Sequence, residues 1–169
     1  MKELFETIEV LQSILAKLTQ QLLALPEASV SQVTMQQKIY NLAKSCLGKD
    51  IARTQDELGC AESVSYILIK CGVVNFPVAG FLGTAEFYGW LSKYAKKVEI
   101  PQPGDIIISP TGYSTKGAKH GHIGVVANYG VMSNNSLNGL FQQHFVSLDA
   151  WKQYFTVKLG FPTEYFRIS

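Results

Sequence analysis

Apolar residues near the N-terminus recur at Leu4, Ile8, Leu11, Leu15, Leu18, Leu22 and Leu25, in strictly alternating steps of four and three. That spacing predicts a helix with a coiled-coil seam, widened by Phe5 and Ile14. Its flanks carry Thr7, Gln12, Thr19 and Gln21 rather than opposite charges, so two roles stay open: packing on its own domain, or docking and self-association. Pro26 stops the helix, and the small polar residues that follow separate an N-terminal helical segment, residues 1–28, from a domain over 34–169. Within that domain, Met35 to Leu47 reads as a helix ended by Gly48. A second helix begins near Cys60, buries Val64, Ile67, Leu68 and Cys71, and stops at Gly72. A third follows Thr84, which is expected to cap it, and runs through Phe87, Trp90 and Leu91.

From residue 98 the period changes. Ile100-Pro-Gln-Pro-Gly-Asp105-Ile-Ile-Ile-Ser is a turn feeding a short strand, and His122 to Ala127 is a second strand. Asn128-Tyr-Gly turns the chain into a returning strand from Val131 to Asn135. Residues 145–148 are expected as a strand, 150–155 as a short helix, and 165–168 as a closing strand. Helices followed by an antiparallel meander make an α+β domain.

The bulk properties narrow the functional classes. A chain of 169 residues with 47% apolar residues suits one domain with a real core. A net charge of +2, with no basic cluster longer than Lys96-Lys97, gives no reason to expect a nucleic-acid partner. Cys46, Cys60 and Cys71 form an odd, unpaired set, against a disulfide framework and against a metal site. On one helix, Cys60 and Cys71 would lie roughly 16 Å apart along the axis, too far to bridge. No segment is apolar enough to span a bilayer, and Met1-Lys-Glu-Leu-Phe-Glu lacks the basic start and apolar run of a secretory signal.

Candidate chemistry centres on Cys60. Gly59 precedes an apolar-periodic run, so the thiol falls at a helix N-terminus, where free N–H groups and the dipole favour thiolate. His120 and His122 lie in the loop and strand start downstream and supply bases; a cysteine with a distant histidine is a nucleophile signature. The polar loop from Pro110 to Lys119 is expected to border a cleft, with Tyr113 as a groove residue. Asp105 is expected to tie down the start of its strand, Asp56 and Glu62 to serve the helix dipole, and His144 to lie at the surface.

Three motifs in this order, Gly59-Cys60-Ala-Glu-Ser-Val, Pro103-Gly-Asp105-Ile-Ile and Gly121-His122-Ile-Gly-Val-Val, resemble the NlpC-like and CHAP-type cysteine peptidases and amidases that cut peptidoglycan. These belong to the broader papain-like fold, and the resemblance covers roughly residues 35–169. It implies that Cys60 is the nucleophile, His122 the general base, and the Cys60 N–H part of an oxyanion hole. His120 is expected either as a substrate contact or as a solvated loop residue. The family's third residue orients the imidazole; here the returning strand offers Ser133, Asn134 and Asn135, with Asn134 preferred and Asn135 the alternative. Met132 and Asn134 share one strand face, Ser133 and Asn135 the other. The implied substrate is a peptidoglycan stem peptide or crossbridge, cut without metal or organic cofactor. With no secretory signal, delivery to the wall is expected from a phage particle, a lysis system or a secretion machine, with residues 1–28 contacting the carrier or a second copy.

Overall fold

The structure is a computed structural model and describes residues 2–23, 33–54 and 59–169. Contacts divide the chain into two compact units, Met1–Val33 and Thr34–Ser169. The first contains α1 (Lys2–Leu23), on which Leu11, Ile14, Leu15 and Leu18 are exposed. Residues 24–32, Pro26 among them, and Asp56 lie outside the described residues.

The second unit begins with α2 (Met35–Ser45). Thr34 caps it by accepting the Gln37 N–H at 3.2 Å, and the chain turns out at Gly48, whose φ of +78° suits a residue without Cβ. Then come α3 (Gly59–Lys70) and α4 (Thr84–Tyr94). Six strands follow: β1 (Lys96–Val98), β2 (Ile106–Ser109), β3 (His122–Val126), β4 (Val131–Asn134), β5 (Phe141–Phe145) and β6 (Glu164–Arg167). They form one antiparallel sheet in the order β1-β6-β2-β3-β4-β5. Helix α5 (Leu148–Lys152), capped by Ser147, runs straight into a π-helical segment, Gln153–Lys158.

Both faces of the sheet are covered, which is why Ile106-Ile107-Ile108 reads as an unbroken apolar run. On one face Ile106, Ile108, Ile123, Val125 and Met132 join Cys60, Ala61, Val64, Ile67 and Leu68 of α3. On the other, Ile107, Val126 and Val131 meet Trp151, Phe155 and Phe161. Each of these large side chains gains about 1.5–3 kcal/mol from burial, so α3 and the α5–π segment are both anchored to the sheet. Asp105, fully buried, takes the Arg167 guanidinium on both carboxylate oxygens, at 2.9 and 2.7 Å, and accepts the Gln102 N–H at 2.7 Å.

Three local expectations are corrected. The strand expected at 145–148 lies earlier, at Phe141–Phe145, because Ser147 caps a helix that claims the residues after it. The short helix expected at 150–155 runs from 148 and continues as π-helix to 158. Thr84 is not the cap of α4; Gly83 is, and the Thr84 hydroxyl is drawn instead to Thr111.

Candidate functional site

Cys60 is the second residue of α3 and is only 7% exposed. Gly59 eases the close approach of α3 to β4: a Cβ there would meet Ala52 Cβ at 3.0 Å and the Asn134 side-chain amide at 3.2 Å, tight contacts that a larger residue relieves only by shifting those neighbours. Burial pushes the thiol up to about 11. The main-chain N–H groups of Ile123, Ala61 and Cys60 itself favour the thiolate but are outweighed. The helix N-terminus therefore does not by itself hold Cys60 ionised, contrary to the expectation from its position; desolvation wins.

The thiol faces a cavity of about 620 Å³ lined by residues that include Phe81, Leu82, Thr84, Glu86, Thr111 and His120. Cys60 and His120 thus open onto the same space, although no hydrogen bond joins them among the described residues. His120 is exposed, but the chain beside it is pinned. The Gly121 N–H donates to Thr111 Oγ1 at 2.9 Å, and Thr111 is bound to Thr84 through Oγ1···Oγ1 at 2.8 Å and N–H···Oγ1 at 3.0 Å. A Cβ on Gly121 would come within 2.0 Å of the Ser109 carbonyl oxygen, so the turn that presents His120 requires glycine. The Thr84–Thr111 clamp was not anticipated, because two threonines 27 residues apart carry no local signal.

His122 lies elsewhere. Along β3, Ile123 and Val125 point to the α3 face, so His122, Gly124 and Val126 point to the other. Its ring is stacked on Phe155 at 10° with centroids 5.5 Å apart, and meets Trp151 at 5.4 Å and His144 at 5.5 Å. Burial, with the nearby His144, lowers its pKa to about 3. The expected Cys60–His122 pairing is therefore not the arrangement found: the sheet separates the two side chains, and the histidine that lines the same cavity as Cys60 is His120.

The residue expected behind His122 is also revised. The register Val125↔Met132 and Val126↔Val131 places Ser133 on the His122 face and Asn134 on the Cys60 face. Ser133 Oγ lies 3.1 Å from His122 Nε2 and 3.2 Å from His144 Nδ1. A hydroxyl has one proton, so at most one of the two imidazole nitrogens accepts from Ser133 and at least one donates to it. Burial also lowers the pKa of His144, which is half-buried rather than at the surface. Asn134 lies against Gly59 and donates to the Gly139 carbonyl at 2.8 Å, bracing the start of α3. The Asn135 side chain accepts the Leu137 N–H at 3.0 Å.

Of the remaining expectations, Tyr113 packs edge-on against Tyr88 at 5.2 Å and does not line the Cys60 cavity. Glu62 is buried and accepts the Thr54 N–H at 2.8 Å and the Thr54 hydroxyl, so it fastens the segment before α3. No group of three or more metal-ligating side chains comes together among the described residues.

A second cavity, of about 530 Å³, shares the lining residues His120 and Gly121 with the first. It extends over the opposite sheet face, past His122 and His144, to Tyr154 and Phe155 of the π-helix. Fold and site together define an α+β protein with a helix-borne cysteine and a loop histidine opening on one cavity. Comparison with protein-family models and with curated proteins finds no match to this chain.

Proposed function

We propose that the chain is a cysteine hydrolase of the NlpC-like or CHAP type, within the papain-like fold, cleaving an amide bond of peptidoglycan. The observation that supports it most is the thiol at the start of α3 opening, together with His120, onto a cavity large enough for a substrate segment. The three motifs in their order point to this class of hydrolase. His120 takes the role that the resemblance assigns to His122.

With a pKa of about 11, the thiol is only about one part in 10⁴ ionised at pH 7, so a base must act as substrate binds. The His120 imidazole takes the Sγ proton while sulfur attacks the amide carbonyl. The oxyanion that forms is met by N–H groups at the start of α3. The C–N bond then breaks, the amine leaving with the proton from the imidazolium, and a thioester remains on Cys60. Water, deprotonated by the same imidazole, attacks the thioester to release a carboxylic acid, and the thiol regains its proton. These steps call on no metal or organic cofactor. Delivery would come from a phage particle, a lysis system or a secretion machine, with residues 1–28 contacting a carrier or a second copy.

The test is hydrolysis of purified cell wall by the native chain, Cys60→Ala and His120→Ala. The native chain should release new amino groups, Cys60→Ala should release none, and His120→Ala should release them far more slowly. Wall binding without lysis by the native chain would instead favour a catalytically silent wall-binding module.

A further inference from the structure

We propose that α1 is the contact surface for a second copy of this chain, which packs on it in parallel as a two-stranded coiled coil. This commits the helix to one of the roles its spacing leaves open, and it does not depend on the hydrolase reading. Every residue from Leu11 to Gln20 is exposed, with Leu11, Leu15 and Leu18 of the seam at 59, 66 and 56%. A helix of 22 residues gains little from local propensity and is held by packing of its apolar face, which a partner has to supply here. Counted as heptads, the seam puts Ile8, Leu15 and Leu22 at position a and Leu4, Leu11 and Leu18 at position d. The seven-residue repeat runs through α1 without a slip, so two copies stay in register along it. Positions e (Phe5, Gln12, Thr19) and g (Thr7, Ile14, Gln21) are where coiled coils select partners by charge, and none is charged. A second copy therefore meets no repulsion at the seam, and a charged foreign helix finds no matching ion there. Lys2, Glu3, Glu6, Glu9 and Lys17 all fall at the outer positions b, c and f.

Shape decides the direction. One flank of the seam carries Ile14, 49% exposed, and the other carries a shallow groove of about 490 Å³ lined by Gln12, Leu15, Ala16, Thr19 and Gln20. Gln12, Leu15, Ala16 and Thr19 stand at i, i+3, i+4 and i+7, the four-residue hole that receives one side chain of a facing helix. The Thr19 hydroxyl already donates to the Leu15 carbonyl at 2.9 Å, so covering the groove strands no hydroxyl proton. In a parallel pair, position g of one helix faces position e of the next heptad of the other, which brings Ile14 of each copy to Thr19 of its mate. The apolar flank of each copy thus meets the groove of the other, twice by two-fold symmetry. In an antiparallel pair e faces e and g faces g, so groove meets groove and the match is lost.

The experiment is sedimentation equilibrium on the full chain at micromolar concentrations, with Leu18→Glu, Ile14→Glu, Thr19→Lys and the double variant Ile14→Glu/Thr19→Lys. The native chain is expected at twice the monomer mass and Leu18→Glu as a monomer. Each flank variant alone should weaken the dimer about tenfold, and the double variant should recover most of that loss, because its two new charges face each other across a parallel contact. Fluorescence of Trp90 and Trp151, both in the 34–169 unit, should show that unit folded in every variant. A native chain that stays monomeric overturns the proposal and leaves α1 to a different protein. A dimer that survives Leu18→Glu overturns it as well, since the contact then lies elsewhere. A dimer lost in Leu18→Glu but not recovered in the double variant overturns the parallel arrangement.

Discussion

Replacing His122 with phenylalanine should remove a defined part of the protein's acid sensitivity. In the folded chain the imidazole is held neutral, with a pKa lowered to about 3 by burial and by His144, whereas in the unfolded chain it titrates near 6.5. A base whose folded pKa is depressed contributes stability above its unfolded pKa, and that stability is lost as pH falls from about 6.5 toward 3. At pH 7 the unfolded imidazole is about a quarter protonated, and at pH 5 almost fully so, while the folded one stays neutral at both. Integrating the proton difference gives about 1.9 kcal/mol of stability lost between pH 7 and pH 5 from this residue alone. Phenylalanine fills the same slot beside Phe155, Trp151 and Phe145, and Ser133 keeps its bond to His144. The assay is urea unfolding of native and His122→Phe chains at pH 7 and pH 5. Carboxylates, His144 and other common groups largely cancel in the double difference, leaving a native chain that loses about 2 kcal/mol more than the variant. Equal losses would show that His122 titrates normally in the folded protein, and would refute its placement under the α5–π segment.

Four further outcomes follow from the same geometry. Cys60 should react with iodoacetamide far more slowly than a free thiol at pH 7.5, with a rate rising about tenfold per pH unit up to pH 10; a plateau by pH 8 would contradict the raised pKa. Gly121→Ala forces a Cβ into the Ser109 carbonyl and should lower wall hydrolysis at least tenfold while thermal unfolding stays cooperative. Asp105→Ala strands the Arg167 guanidinium and should cost about 3 kcal/mol in urea unfolding at pH 7; a loss below about 1 kcal/mol would show that the pair does not hold β2 to β6. Thr111→Val keeps the shape but removes the hydroxyl that accepts the Gly121 N–H, and should lower kcat with little change in global stability, since the clamp acts on the His120 turn.

How far the sequence foretold this arrangement varies with the kind of signal each residue carries. The start of α3 was legible because a glycine, a cysteine and an apolar-periodic run coincide at residues 59–68, and that is where the helix lies. The β2–β3–β4 hairpins were legible from short apolar runs divided by turn residues. Which face His122 would take was not, because Ile123, Val125 and Val126 are all buried and a strand covered on both sides shows no polar alternation. Strand β5, Phe-Gln-Gln-His-Phe, was missed for the opposite reason: its centre is polar and its pairing with β4 supplies the order. The thiol pKa was misjudged because position at a helix terminus is visible in sequence and depth of burial is not. His120 was legible as a candidate base but the motif pointed to His122 for that role; its place beside the Cys60 cavity depends on a threonine clamp assembled from α4 and the loop after β2.

The assignment of thiol and imidazole is tested most directly by one kinetic comparison: amino-group release from purified cell wall by the native chain, Cys60→Ala, His120→Ala and His122→Phe at pH 7.5. Cys60→Ala should be inactive, His120→Ala should fall by about 10²–10⁴-fold, as for loss of a general base, and His122→Phe should fall by less than about tenfold. Full activity without the thiol, or loss on replacing His122 with retention on replacing His120, would contradict the account.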